Sequence, residues 1–374
     1  MAANHDQPRV AVVLVNWNNW RDTVECLDSL LAQAYPDFHI YVVDNESGDQ
    51  SVEHIAAWCE APRRDSAWRT HEGVDRVTAN VIVEAVAYRI ADASIAPLPP
   101  ALPECRLTLV RSGGNLGFAS GCNVGMRAAA LDAHFFWLVN TDTVVHRDAL
   151  SALVRRALGD PKIGMVGSML RYYAQPDRIQ ALAGGRMNPD NAAMEHIGEN
   201  MRPADVIDVA AVERELAYIM GASMLVSADF VQEVGPMQED YFLYYEEADW
   251  AMRGRGKFTL GFAADSHIYH KAGGSSGKVM PLFSLRHFYR NRVRFVGRFH
   301  PQCLPGAKRV LRLELALYLL KGRFAKARIV ADALRDARLL TSKKEALFAS
   351  QAPAAQEPLT GAARHLSRKG RGRE

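Results

Sequence analysis

The chain has 374 residues, 48% hydrophobic and 23% charged, enough for one large core with an appendage and unlike an intrinsically disordered composition. Its five cysteines (Cys26, Cys59, Cys105, Cys122, Cys303) are scattered and never form C-x-x-C, which argues against a disulfide framework or a zinc site and favours a reducing, cytoplasmic setting. The formal charge of +3 is uneven: from 301 to 374 there are 16 Lys and Arg against 6 Asp and Glu, a net +10 that leaves about −7 on the first 300 residues.

The opening MAANHDQPRV has no apolar core, so no signal peptide is expected, and no stretch reaches the ~18 uncharged apolar residues of a membrane span. Val10–Val15 is an unbroken apolar run suited to a strand buried on both faces. Arg21–Ala34 follows with Val24, Leu27, Leu31 and Ala34 on one helical face. A strand at His39–Val43 and a helix at Ser51–Trp58 extend this to β-α-β-α, the signature of a parallel sheet. The alternation stalls at 61–103, read as an insertion with one strand at Val77–Val86. It resumes with a strand at Leu107–Val110, a helix over about 120–130, a strand at Phe135–Val139, a helix at Asp148–Leu158 and a strand at Ile163–Met169. Residues 171–215, punctuated by Gly, Asn and Pro, read as loops covering a site. A strand at Ala217–Val226, a short helix at Ala228–Val234, an acidic helix from Glu246 and a strand at Phe258–Ala263 complete the pattern.

Four strands end in polar turns: Asn16-Trp17-Asn18, Asp44-Asn45-Glu46-Ser47, Gly113-Gly114-Asn115-Leu116-Gly117 and Asn140-Thr141-Asp142. Each alone is an ordinary turn. In a parallel sheet, however, all four lie on the carboxyl edge, where such sheets bind ligands. There Asp44 is placed to accept from a base or ribose and Asn16 and Asn18 to bond the base edge. The glycines, with Asn115 and Phe118, can shape a helix start beside a phosphate. The Gly-rich piece is not G-x-G-x-x-G, which argues against a dinucleotide fold. Glu246, Glu247 and Asp249 either complement a helix dipole or, set among Tyr241–Tyr245 and Trp250, form a partly desolvated acid cluster able to act as a base. His270 precedes Gly273-Gly274-Ser275-Ser276, a candidate metal ligand beside a phosphate-binding loop.

The ordered set VNWN, VDNESGD, NLGFASGCNVG, LVNTD, GASMLV, EEADWAMR and HKAGGSSG resembles family 2 of the inverting glycosyltransferases, in its rhamnosyltransferase-like branch, from about Val10 to Gly277. The resemblance implies an α/β GT-A fold, with a Rossmann-like, mostly parallel central sheet flanked by helices, over residues 1–277 with the insertion at about 61–103. A helical, basic C-terminal extension over 278–374 follows, its tail from about 351 expected to be disordered. It implies a metal-dependent enzyme moving a sugar, rhamnose from dTDP-rhamnose, to a saccharide or lipid-linked acceptor in bacterial surface polysaccharide synthesis. Asp44, Asn45, Asn16, Asn18, Asn115, Gly117, Phe118, Asn140 and Thr141 then line the nucleotide-sugar site. Asp142, with His270, holds Mg²⁺ or Mn²⁺. The acid that opens the family's metal motif is Asn140 here, which leaves Asp142 as the principal carboxylate. The family's Glu-Asp pair falls on Glu246-Glu247, so Glu247 is the candidate base, with Glu246 and Asp249 in support. Competing classes are a nucleotidyltransferase, whose Gly- and Arg/Lys-rich signature is missing after the first strand, and a sugar-nucleotide-binding protein without catalysis.

Arg286, Arg290, Arg292 and Arg294, beyond the core, are placed to grip a diphosphate or else to form a solvated face. Over 307–340, Val310, Leu313, Leu317, Leu320 and Phe324 recur at helical spacing among Lys and Arg. Two readings stay open: an element lying on an anionic membrane at the cytoplasmic face, or a helical hairpin packed on the main domain. Nucleic acid is not an expected partner.

Overall fold

The computed structural model describes residues 7–61, 85–99, 104–131, 133–271 and 280–339. The expected Gly-Ser loop at 273–276 and the tail from 351 lie outside the described residues, as does most of the strand expected at 77–86. The described strand of that region is β3 (Tyr88–Asp92), an edge strand.

The apolar runs of the first half form β1 (Val10–Asn16), β2 (Phe38–Asp44), β4 (Leu107–Arg111) and β5 (Phe135–Val139), all parallel and paired in the order β4-β2-β1-β5. Their side chains alternate between two cores. Val10, Val12 and Leu14 of β1 join Ile40 and Val42 of β2 on one face, under helices α1 (Trp20–Leu31), α2 (Ser51–Glu60) and α4 (Ala149–Leu158). Ala11, Val13, Tyr41 and Val43 meet α3 (Phe118–Ala128), α6 (Ala228–Val234) and α7 (Glu246–Gly254) on the other. A strand covered on both faces has no polar side, which is why these runs are mostly apolar, with buried His39 of β2 and Thr108 of β4 satisfying each other at 2.8 Å.

Beyond β5 the sheet continues through β12 (Ser223–Ser227), β7 (Ile163–Tyr172), β13 (Thr259–His270) and the short β6 (Thr143–Val145). Here β12 runs antiparallel to both neighbours, so its start, not its end, lies beside the end of β5: Ser223 pairs with Val139. The strand expected at 217–226 is broken at 220–222, leaving the two-residue β11 (Tyr218–Ile219) in a separate small sheet.

The reading of 171–215 as loops is corrected. The segment holds β8 (Gln175–Leu182), which pairs with β7 and buries Ile179, Ala181 and Leu182, then β9 (Gly184–Met187), β10 (Met194–His196) and α5 (Val209–Glu215). Its polar and small residues mask the period of the strands, whose pairing partners supply the burial instead.

Past β13, α8 (Leu282–Phe299), α9 (Leu304–Leu320) and α10 (Phe324–Leu339) share their own apolar core of Leu285, Tyr289, Val293, Leu311, Val330 and Ala333. Phe295 and Val296 tie α8 to Tyr241, Tyr245 and Ala248 at the start of α7. Among the described residues no helix is long and apolar enough to cross a membrane.

Candidate active site

Register alone gathers the first part of the site, since Asn16 pairs with Asp44 and Asp44 with Arg111 at the carboxyl ends of β1, β2 and β4. Asp44 is buried. One carboxylate oxygen accepts from Asn16 Nδ2 at 2.9 Å and the other from the Ser47 backbone N–H at 3.0 Å. Asn16, also buried, gives its remaining contacts to Ser47 Oγ at 3.1 Å and to Thr23 Oγ1, which donates to it at 2.8 Å. This corrects the expectation that Asn16 bonds a base edge: its amide is spent inside the protein, holding Asp44. Asn18 is exposed, and its Oδ1 accepts from Gly48 N–H at 2.7 Å, closing the β1 turn onto the β2 turn.

Asn45 carries the site to the Gly-rich turn by donating to the Gly117 carbonyl at 3.0 Å, while Asn115 Oδ1 accepts from Gly117 N–H at 3.2 Å. Gly117 has φ +91°, and a Cβ there would collide with the carbonyl of Phe242, so only glycine fits. Phe118 N–H donates to that same carbonyl at 2.8 Å. The donor side thereby abuts the loop leading into α7, where Phe242, Tyr244 and Tyr245 have φ of +61°, +70° and +75°. Three non-glycine residues at positive φ store strain that surrounding structure must hold. Asn291 of α8, buried, holds it by donating to the carbonyls of Tyr241, Leu243 and Tyr244 at 2.7, 2.8 and 3.0 Å.

The acid cluster divides into three environments. The carboxyl of Glu247 faces Gly221, whose backbone N–H it accepts from and where a Cβ would collide with Glu247 Oε1. Burial raises its pKa. Glu246 is buried, its Oε2 has no partner, and burial with the neighbouring Glu247 raises its pKa further above the carboxylate range. Asp249 is fully buried but saturated: Arg253 Nε reaches it at 2.8 Å, Arg298 at 2.8 Å and the Tyr241 hydroxyl at 3.0 Å. These contacts let Asp249 brace α7 against α8.

From Gly221 the chain turns into β12, and Ala222 accepts from Asn140 N–H at 3.2 Å. This joins the acid cluster to the Asn140-Thr141-Asp142 turn. Thr141 is buried, and the Asn140 carbonyl accepts from Thr143 Oγ1 at 2.8 Å, fixing the turn. Pairing of β13 with β6 sets His270 opposite Thr143, which places its Nε2 3.2 Å from Asp142 Oδ1. Gln180 Oε1 lies 2.9 Å from His270 Nδ1. With Nδ1–H donating to Gln180, the Nε2 lone pair points at a carboxylate oxygen, an arrangement that a cation or proton between them relieves.

Among the described residues no three His, Cys, Asp or Glu converge as a metal cluster. Asp142 and His270, one carboxylate and one imidazole, are the residues here that could hold a divalent cation.

Of the four α8 arginines, Arg292 is buried facing Glu314 at 4.0 Å and Arg294 pairs with Asp240 at 2.6 Å. Arg286 and Arg290 instead line a cleft with Asp332 and Asp336 of α10. These pairings correct the expectation of one diphosphate grip from all four. Sequence reasoning named neither Gln180, hidden in a segment without periodicity, nor Asn291, whose partners lie about fifty positions away. Gly221 stood in view within the GASMLV motif.

Residues 11–71 and 91–216, half of the chain, match the model of the family described as Glycosyl transferase family 2; Glu247 and His270 lie beyond the match. Among solved structures, a mannosyltransferase, PcManGT from Pyrobaculum calidifontis, in complex with GDP-Man and Mn²⁺, is 18% identical, with a TM-score of 0.49 over 92% of this chain and 79% of its own. GalNAc-T7 with UDP, GalNAc and Mn²⁺ is 12% identical, with a TM-score of 0.52 over 94% of this chain and 59% of its own. S. aureus TarS 1-349 is 11% identical, with a TM-score of 0.44 over 94% and 77%. The likeness to GalNAc-T7 is one of fold, a GT-A-like mixed sheet flanked by helices. Curated protein sequences yield no match.

Proposed function

We propose that this chain, which belongs to glycosyl transferase family 2, transfers rhamnose from dTDP-rhamnose to a hydroxyl of a saccharide or lipid-linked acceptor, with inversion, in the synthesis of a bacterial surface polysaccharide. Transfer of a sugar from a nucleotide donor follows from the family; the rhamnose donor rests on the ordered motifs from VNWN to HKAGGSSG.

Asp44, held rigid by Asn16 and Ser47, accepts from the nucleobase, and Asn45, Asn115, Gly117 and Phe118 shape the wall beside the diphosphate. Asp142 and His270 would hold Mg²⁺ or Mn²⁺, which when bound supplies positive charge against the diphosphate leaving group. Glu247 takes the proton of the acceptor hydroxyl. That oxygen bonds to the anomeric carbon as the bond to the diphosphate breaks on the opposite face, so configuration inverts and no covalent enzyme intermediate is needed. Burial, by raising the proton affinity of Glu247, moves it toward the range where a carboxylate serves as a base near neutrality. Burial and the neighbouring Glu247 raise the pKa of Glu246 well above the ordinary carboxylate value, which disfavours a second charge beside Glu247.

The observation that carries this reading is the link across Gly221-Ala222, which sets Glu247 beside the turn bearing Asp142. Incubation with a panel of nucleotide sugars and acceptors tests it. Acceptor-dependent release of dTDP from dTDP-rhamnose supports it, and transfer of a nucleotidyl group instead refutes it. Asn140, standing where the family has an acid, favours one rival, a sugar-nucleotide-binding protein without catalysis; donor binding with no release for any acceptor would establish that rival.

A further inference from the structure

Helix α9 is apolar on two opposite sides. One side carries Leu304, Ala307 and Leu311 into the protein. On the other, Leu313, Leu317 and Leu320, spaced i, i+4 and i+7, are 59%, 52% and 84% exposed, and Phe324 just beyond the turn is 70% exposed. Single exposed leucines are common on protein surfaces, but a continuous row along one helix is not. The row is edged by exposed Arg309, Arg312, Lys321 and Arg323, and between 304 and 324 the one acidic residue, Glu314, turns away toward Arg292.

The fold also fixes where this face points. Met280, just before α8, and Leu285 near its start share one apolar cluster with Leu315 and Tyr318 of α9, so the start of α8 lies toward the end of α9. Leu282 and Phe283, 47% and 56% exposed, extend the apolar surface there. The Phe283 ring lies 5.7 Å from that of Phe242, the residue whose carbonyl abuts Gly117 and Phe118 at the candidate site.

We propose that this face of α9, with Phe324 and the start of α8, seats the protein on an anionic lipid bilayer: leucines and phenylalanines enter the headgroup boundary and the flanking Arg and Lys meet lipid phosphates. Of the occupants such a face could take, the row of cations along an apolar stripe with no exposed acid matches an anionic membrane and repels a second copy of itself. Seating there holds Phe242, whose carbonyl abuts Gly117 and Phe118, near the bilayer, where a lipid-linked acceptor is presented. Only that last point rests on the proposed transferase reading; the docking stands on the surface alone.

The test is flotation of the full-length protein with phosphatidylcholine vesicles, with and without phosphatidylglycerol, and needs no nucleotide sugar. The protein is expected to float with phosphatidylglycerol vesicles at low salt and to be released as salt rises. Leu317→Glu with Leu320→Glu, both at exposed positions, should lower the bound fraction about tenfold while leaving the thermal melt unchanged. Arg309→Glu with Arg312→Glu should weaken binding by a similar factor and flatten its salt dependence. The proposal is overturned if the native protein ignores anionic vesicles at low salt, or if the leucine variants bind as the native protein does. It is equally overturned if sedimentation shows a dimer that Leu317→Glu splits while vesicle binding is unaffected, which would give the face to a second copy.

Discussion

His270 Nε2 stands 3.2 Å from Asp142 Oδ1, although 128 positions separate the two, because β13 pairs antiparallel with the three-residue β6 that directly follows the Asp142 turn. Asp142→Ala is expected to weaken donor binding in Mg²⁺ or Mn²⁺, and the difference from the native protein should vanish in EDTA. Gln180→Leu, which frees the His270 ring without touching the cation, should cost about 10–100-fold in metal affinity. Calorimetric titration of dTDP with and without metal measures both. Equal affinities for native and Asp142→Ala protein in saturating metal would remove Asp142 from the metal role.

Asp249 should behave unlike its neighbours. It receives Arg253, Arg298 and the Tyr241 hydroxyl in a fully buried position, so Asp249→Ala removes an acceptor shared by three donors. Arg253 keeps the carbonyls of Val234 and Pro236 and Arg298 reaches solvent, so the cost is about 1.5–3 kcal/mol. Denaturant unfolding should show that loss. A variant of native stability and no turnover would return Asp249 to the chemistry.

Asn291 supplies the clamp on the strained loop before α7. Asn291→Leu keeps the volume and removes the donors to three carbonyls, so Tyr244 and Tyr245 are free to leave positive φ and Glu247 loses its position. The expected signature is a fall in kcat with donor KM nearly unchanged. A change confined to KM would place the effect of the clamp on the donor side.

Glu246 gives a pH signature in stability. Its pKa in the folded protein is raised above the ordinary 4.5, so the folded state holds this proton more tightly than the unfolded chain. The resulting stabilisation is complete below about 4.5 and is lost as pH rises through the raised folded value. Glu246→Gln cannot ionise. Thermal melts across this range should therefore fall with pH in the native protein and stay flatter in the variant; parallel curves would contradict the assignment.

Much of this site is legible in the residues. The strands β1 and β5 announce themselves as unbroken apolar runs because both faces are covered, and parallel pairing of β1 with β2 then forces Asn16 and Asp44 onto one edge. Side-chain direction is not legible in the same way. Nothing in Asn16-Trp17-Asn18 says that Asn16 turns inward to Asp44 while Asn18 stays exposed, and three acids in four residues do not say which of them meets Arg253 of α7 and Arg298 of α8. The strands β8–β10 escaped although β8 pairs with the preceding β7 and β10 with the preceding β9, because small and polar residues obscure the alternation. Residues 304–339 fold as two helices that share an apolar core with α8, which leaves the leucine row of α9 uncovered among the described residues.

The central claim is that Glu247, held against Gly221 at the edge shared with Asp142, is the base of an inverting transfer. The most direct measurement is the rate of dTDP release from dTDP-rhamnose in the presence of acceptor for native protein and Glu247→Gln, with the anomeric configuration of the product read by NMR. The account predicts inversion by the native protein and, for the variant, a rate lower by about 10²–10⁴ with donor affinity retained. A retained configuration, or a variant that turns over like the native protein, would contradict it.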